Sequence, residues 1–64
     1  MPHFFSATDV AIANAAKRGT LRLIERPSRF GDTFIAIEDE VGLIEVALSK
    51  READARVASV MEAA

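Results

Sequence analysis

Asp32-Thr33-Phe34-Ile35-Ala36-Ile37-Glu38-Asp39-Glu40-Val41-Gly42-Leu43-Ile44-Glu45-Val46-Ala47-Leu48 contains two apolar runs of strand length, 32–38 and 43–48, on either side of an acidic turn with a glycine. Such runs, bounded by turn residues, read as β-strands. The short connection makes them an antiparallel hairpin. On the N-terminal side, Pro27-Ser28-Arg29-Phe30-Gly31 separates this hairpin from a third run at 20–26. Alternation places Leu21, Leu23, Ile35, Ile37, Ile44, Val46 and Leu48 on one face, because a one-residue slip turns every side chain over. Pairing Leu23 with Ile35 leaves a five-residue loop; pairing Ile37 with Ile44 sets Glu38 opposite Leu43 and leaves a four-residue loop.

Helical patterns flank the strands. Ser6 and Asp9 form a capping box, Phe5 and Val10 a hydrophobic staple, and Thr8 is a competing cap. The helix runs through an alanine-rich stretch to Lys17 and Arg18, and Gly19 suits its C-terminus. Phe5, Thr8, Ile12, Ala15 and Ala16 share one narrow face, with Asn14, Lys17 and Arg18 opposite. Ser49 and Glu52 form a second capping box, which opens a helix over about residues 50–62. Ala53, Val57, Val60, Met61 and Ala64 make its stripe, with Val57 near the centre. Glu52 and Arg56 stand at i and i+4 in the favourable order. The expected architecture is α+β: an α-β-β-β-α chain forming a three-stranded antiparallel meander, with both helices on the Leu23, Ile37, Val46 face. One domain spans 1–64, and residues 1–5 read as a terminal arm.

With 64 residues and no cysteine, the chain has neither a disulfide nor a thiolate metal site. Half the residues are hydrophobic, but twelve are alanine, which leaves twenty larger apolar side chains for the core. A core this small gains readily from association. No apolar run reaches the length of a membrane span, so a soluble cytoplasmic chain is expected. Ser6, Ser28, Ser49 and Ser59 have no histidine near them except His3, in the terminal arm, and one histidine cannot build a zinc site, so no catalytic set, metal site or cofactor is expected. Glu38-Asp39-Glu40 lacks the spacing of a calcium loop.

Charge is unevenly spread. Between 17 and 29, Lys17, Arg18, Arg22, Arg26 and Arg29 face one carboxylate, Glu25; between 38 and 45, Glu38, Asp39, Glu40 and Glu45 face no cation. Solvated turns and a bipolar docking surface both fit this pattern. If the helices cover one face, the other carries Arg22, Ile24, Arg26, Phe34, Ala36, Glu38, Leu43, Glu45 and Ala47. The expected rows are Ile24–Phe34–Ala47 and Arg22–Ala36–Glu45. An apolar centre with a charged rim is the anatomy of an interface. A partner, the Phe4-Phe5 arm or a loop side chain folded over it, or a barrel-like curl would each cover it.

The element order and Ser49-Lys50-Arg51-Glu52-Ala53 resemble the double-stranded-RNA-binding domain, whose last helix opens with a Ser-Lys-Lys-x-Ala type sequence. Phe34 is placed similarly to the aromatic that opens that family's second strand. The resemblance implies RNA contacts through Asn14, Lys17 and Arg18, through Ser28 and Arg29, and through Lys50 and Arg51. Two departures stand out: the loop lacks the family's Gly-Pro-x-His pattern, and Asp54 replaces a third basic residue. The sequence pI of 5.2 is acidic for a nucleic-acid binder. The expected function is therefore a small non-catalytic protein-binding module or inhibitor. By analogy of size with phage and mobile-element proteins, it would dock on a host protein complex, or act as a homo-oligomer. Its expected surface is Arg22, Ile24, Arg26, Phe34, Leu43 and Glu45. The alternative is a divergent RNA-binding-like domain using Lys17, Arg18, Arg29, Lys50 and Arg51.

Overall fold

The computed structural model describes residues 6–63, in the order α1 (Ala7–Arg18), β1 (Arg22–Pro27), β2 (Thr33–Glu38), β3 (Leu43–Ala47) and α2 (Lys50–Ala63). The strands form one antiparallel sheet in sequential order, so the α-β-β-β-α meander is as expected. The N-terminal arm, Phe5 of the staple and Ala64 of the last stripe lie outside the described residues.

Local chemistry sets the helix ends. Ser6 Oγ accepts from the Asp9 N–H at 3.2 Å, and the Asp9 carboxylate accepts from the Ser6 N–H at 3.3 Å. Together they satisfy two donors that a helix start leaves open. Gly19, at φ 74°, closes α1 in the left-handed conformation glycine adopts without strain. At α2, Ser49 Oγ accepts from the Glu52 N–H at 3.2 Å. The Glu52 carboxylate reaches past Ser49 and accepts from the Leu48 N–H at 3.0 Å. Glu52 is thereby committed to the cap, and the expected Glu52–Arg56 pair gives way to other partners for Arg56.

The register differs from the expected one in two places. Leu23 pairs with Ile37 and Glu25 with Ile35, so the first hairpin is shifted while each side chain keeps its face. The reason lies at Pro27, which ends β1 opposite Thr33 instead of opening the loop. β1 is an edge strand, and there a proline forfeits no ladder bond. The loop at 28–32 is closed by Ser28 N–H to the Asp32 carbonyl at 2.7 Å and by Ser28 Oγ to Asp32 Oδ1 at 2.9 Å. In the second hairpin Glu38 pairs with Leu43 as expected, but Ile37 pairs with Glu45 and Ile35 with Ala47. Ile44 is the extra residue of a β-bulge, and from there on the alternation of β3 is inverted. Glu45 and Ala47 consequently belong to the helix side, and Val46, 53% exposed, belongs to the open side. Leu48, which alternation placed inside, is exposed beyond the strand end.

Ile12 of α1, Ile35 and Ile37 of β2, and Ala53 and Val60 of α2 form the core, with Leu21, Leu23, Ile44, Ala47 and Val57 packed around it. Both helices therefore share one face of the sheet. Val57 is half-buried, whereas Ala53 is fully buried and Val60 nearly so, which corrects the expected centre of the stripe. At about 100° per residue, Ala53 and Val60 lie side by side, with Val57 to one side and Arg56 to the other. The helix is rolled toward Arg56, whose ion pairs with Asp9 and Glu45 lie on that side. The molecule is long for its size, 42 × 23 × 16 Å. Glu25, Arg26 and Pro27 are exposed, as is most of the loop beyond them.

Candidate functional site

With both helices on one side, the other face of the sheet carries Arg22, Ile24 and Arg26 from β1, Phe34, Ala36 and Glu38 from β2, and Leu43 and Val46 from β3. The ladder sets them in rows: Arg22–Glu38–Leu43, then Ile24–Ala36–Val46, then Arg26–Phe34. These replace the expected rows, because the first hairpin is shifted and the Ile44 bulge inverts β3. Five of the six expected docking residues, Arg22, Ile24, Arg26, Phe34 and Leu43, share this face. Glu45 does not; it points to the helices. Val46 takes its place, 53% exposed beside Leu43 at 61%.

Arg26 crosses the middle row. Its Nε donates to Glu38 Oε2 at 2.7 Å and its Nη2 to Glu38 Oε1 at 3.0 Å, a two-pronged pair that spans the Ile24–Ala36–Val46 row. Ala36, in the centre, is fully buried although none of the described helices or strands lies over this face. The Arg26 bonds hold the Glu38 carboxyl below the usual carboxylate range against the opposing effect of desolvation, and Arg22 adds to the lowering. The face is thus an apolar strip, Ile24, Phe34, Leu43 and Val46, strapped by one ion pair and bordered by Arg22.

Glu45 serves a different purpose. Arg56 Nε donates to Glu45 Oε2 at 2.8 Å and Nη2 to Glu45 Oε1 at 3.0 Å, while Nη2 also donates to Asp9 Oδ1. Arg56 is 28% exposed, and its charge links α1, α2 and β3. The two carboxylates raise the pKa of the guanidinium further above its ordinary value. In turn the Arg56 bond lowers the Asp9 pKa, opposed by desolvation and helped by Ser6.

The basic residues of the alternative reading are spread along the molecule. Lys17 and Arg18 end α1, where the chain passes into the start of β1, whereas Arg29 sits in the loop beyond the other end of that strand. Lys50 and Arg51 open α2 just after β3, whose end pairs near the start of β2, on the Arg29 side. Lys50 Nζ is 2.9 Å from both carboxylate oxygens of Asp54, so that cation is neutralised locally. Lys17, Arg18, Arg29 and Arg51 are exposed.

Sequence reasoning missed Val46 on the open face and the Asp9–Arg56–Glu45 link. It also missed Phe30, which is 88% exposed at the hairpin tip. The serine hydroxyls near turns are committed to structure: Ser28 to Asp32 and the Phe30 N–H, Ser6 and Ser49 to helix caps. Among the described residues no cluster of three or more metal-ligating side chains forms, and no helix is long and apolar enough to cross a membrane. Compared with known proteins, the chain matches no family model, no curated protein and no solved structure at a significant level.

Proposed function

We propose that this chain is a small non-catalytic module that binds another protein through the open face of its sheet. The observation that carries this reading is the apolar strip Ile24–Phe34–Leu43–Val46, left uncovered by both helices and bordered by Arg22 and the Arg26–Glu38 pair. A sheet face meant only for water carries polar residues. Apolar centres with an arginine-rich rim are the composition of interface cores. Burying the exposed parts of Leu43 and Val46 offers about 2 kcal/mol before association costs. Arg22, with Arg26 already paired to Glu38, suits a partner surface that sets an acidic group beside an apolar patch.

The test is capture of partners from a cell lysate by the intact chain and by Val46→Asp. Val46 lies outside the core, so the variant keeps its helical circular-dichroism signal. The reading requires that Val46→Asp lose partners that the parent chain retains. Identical capture by the two proteins would remove the open face from consideration.

A further inference from the structure

We infer that copies of this chain associate head to tail, Phe30 at the hairpin tip of one copy seating in the groove between α1 and the β2–β3 turn of the next. Phe30 is 88% exposed, yet its loop is well defined. The Phe30 N–H donates to Ser28 Oγ at 3.0 Å, Ser28 Oγ donates to Asp32, and Gly31 takes φ 97°, where a side chain would be strained. An aromatic ring held out on an ordered loop loses little conformational entropy when it docks. Arg29 stands beside it, exposed and making no ion pair with the described residues.

The receptor lies at the other end of β2. A groove of ≈ 430 Å³ runs between the first turns of α1 and the β2–β3 turn, with Ala7, Ala11, Val41 and Leu43 in its lining and Asp39 beside them. Val41 is 88% exposed. Alanines on the helix side leave room, and clefts of this size hold groups larger than one aromatic ring. The adjoining turn is acidic: Asp39 is followed by Glu40, which is exposed and makes no ion pair with the described residues. The apolar knob with its cation thus matches an apolar groove with carboxylates on the same chain. Charge complementarity selects a second copy as the occupant. Knob and groove lie at opposite ends of β2 and are different surfaces, so a head-to-tail contact between them is heterologous and leaves one unused half at each end of a dimer. It shares Leu43 with the open face but uses neither Ile24 nor Val46, so Val46→Asp should spare it.

Sedimentation velocity of the full chain over a wide concentration range tests this. The weight-average sedimentation coefficient should rise with concentration for the parent chain. Phe30→Asp, which spoils the knob, and Ala11→Arg, which fills the groove, should each weaken association at least ten-fold while circular dichroism stays unchanged. Each variant retains the half that the other lacks. An equimolar mixture should therefore form a one-to-one complex that neither forms alone, and that complex should stop at two copies. Three results would overturn the inference: a parent chain monomeric throughout, association indifferent to Phe30→Asp, or a mixture with no complex. The first would also arise if residues 1–5 of the same copy, or a different protein, filled the groove.

Discussion

Arg56 on the last helix donates to Asp9 at the start of the first, 47 residues away in sequence, and the same guanidinium holds Glu45 on the sheet. Asp9 also caps its own helix through Ser6, so one carboxylate serves a local and a long-range bond. Removing the cation leaves two partly buried carboxylates facing each other. Arg56→Ala should therefore destabilise the chain by about 1 to 3 kcal/mol, more than a solvent-exposed ion pair such as Lys50–Asp54 is worth. Urea unfolding of Arg56→Ala beside Lys50→Ala checks this, and equal losses would reduce Arg56 to a surface residue.

Acid should weaken the fold. The carboxyls of Asp9 and Glu38 titrate below their ordinary values of 3.8 and 4.5 in the folded chain. The unfolded chain therefore takes up protons first as pH falls. The stabilisation is complete above the ordinary carboxylate range and is lost progressively as pH drops through it toward the folded values. Urea midpoints should be level near neutrality and decline below about pH 4.5. In a doubly substituted Asp9→Asn, Glu38→Gln chain that decline should be shallower.

In α2 the weight falls on Val60. Val60→Ala should cost about 1 to 3 kcal/mol, because the side chain is nearly sealed in the core. Val57→Ala should cost less, since Val57 is only half-buried. Reversal of this order in thermal unfolding would show that the helix is rolled the other way.

The two functional readings divide on charge. If docking runs through the open face, replacing Lys50 and Arg51 by glutamate leaves partner capture intact, and duplex RNA is not shifted in a low-salt mobility assay. A shift that the double variant loses, with a reduced salt slope, would move the function to the basic residues.

Much of the fold is legible in the chain because it is written locally. Ser6 with Asp9, Gly19, and Ser49 with Glu52 each mark a helix end within a few residues, and the turns at 27–31 and 39–42 separate the strands. The open face is legible on β1 and β2, where simple alternation holds. It was misread on β3, because nothing in Leu43-Ile44-Glu45-Val46 distinguishes a regular strand from one with a bulge. The Asp9–Arg56–Glu45 link depends on that bulge and on contacts between distant segments. Local pairing instead suggested Glu52 as the partner of Arg56. In the sequence Phe30 falls in a turn and carries no pattern, and only the length of the hairpin shows it projecting.

Ile44 sets the facing of β3 beyond Leu43. Without Ile44, Glu38 would still face Leu43 and Ile37 would still face Glu45, so its deletion should keep Glu45 toward Arg56 and Val46 toward the open side. A regular ladder carried on from the Glu38–Leu43 pair with Ile44 in place would instead set Ile44 opposite Ile37, presenting Glu45 to the open side and Val46 to Arg56. The extra residue, not the exposed turn, therefore decides which of Glu45 and Val46 meets the helices.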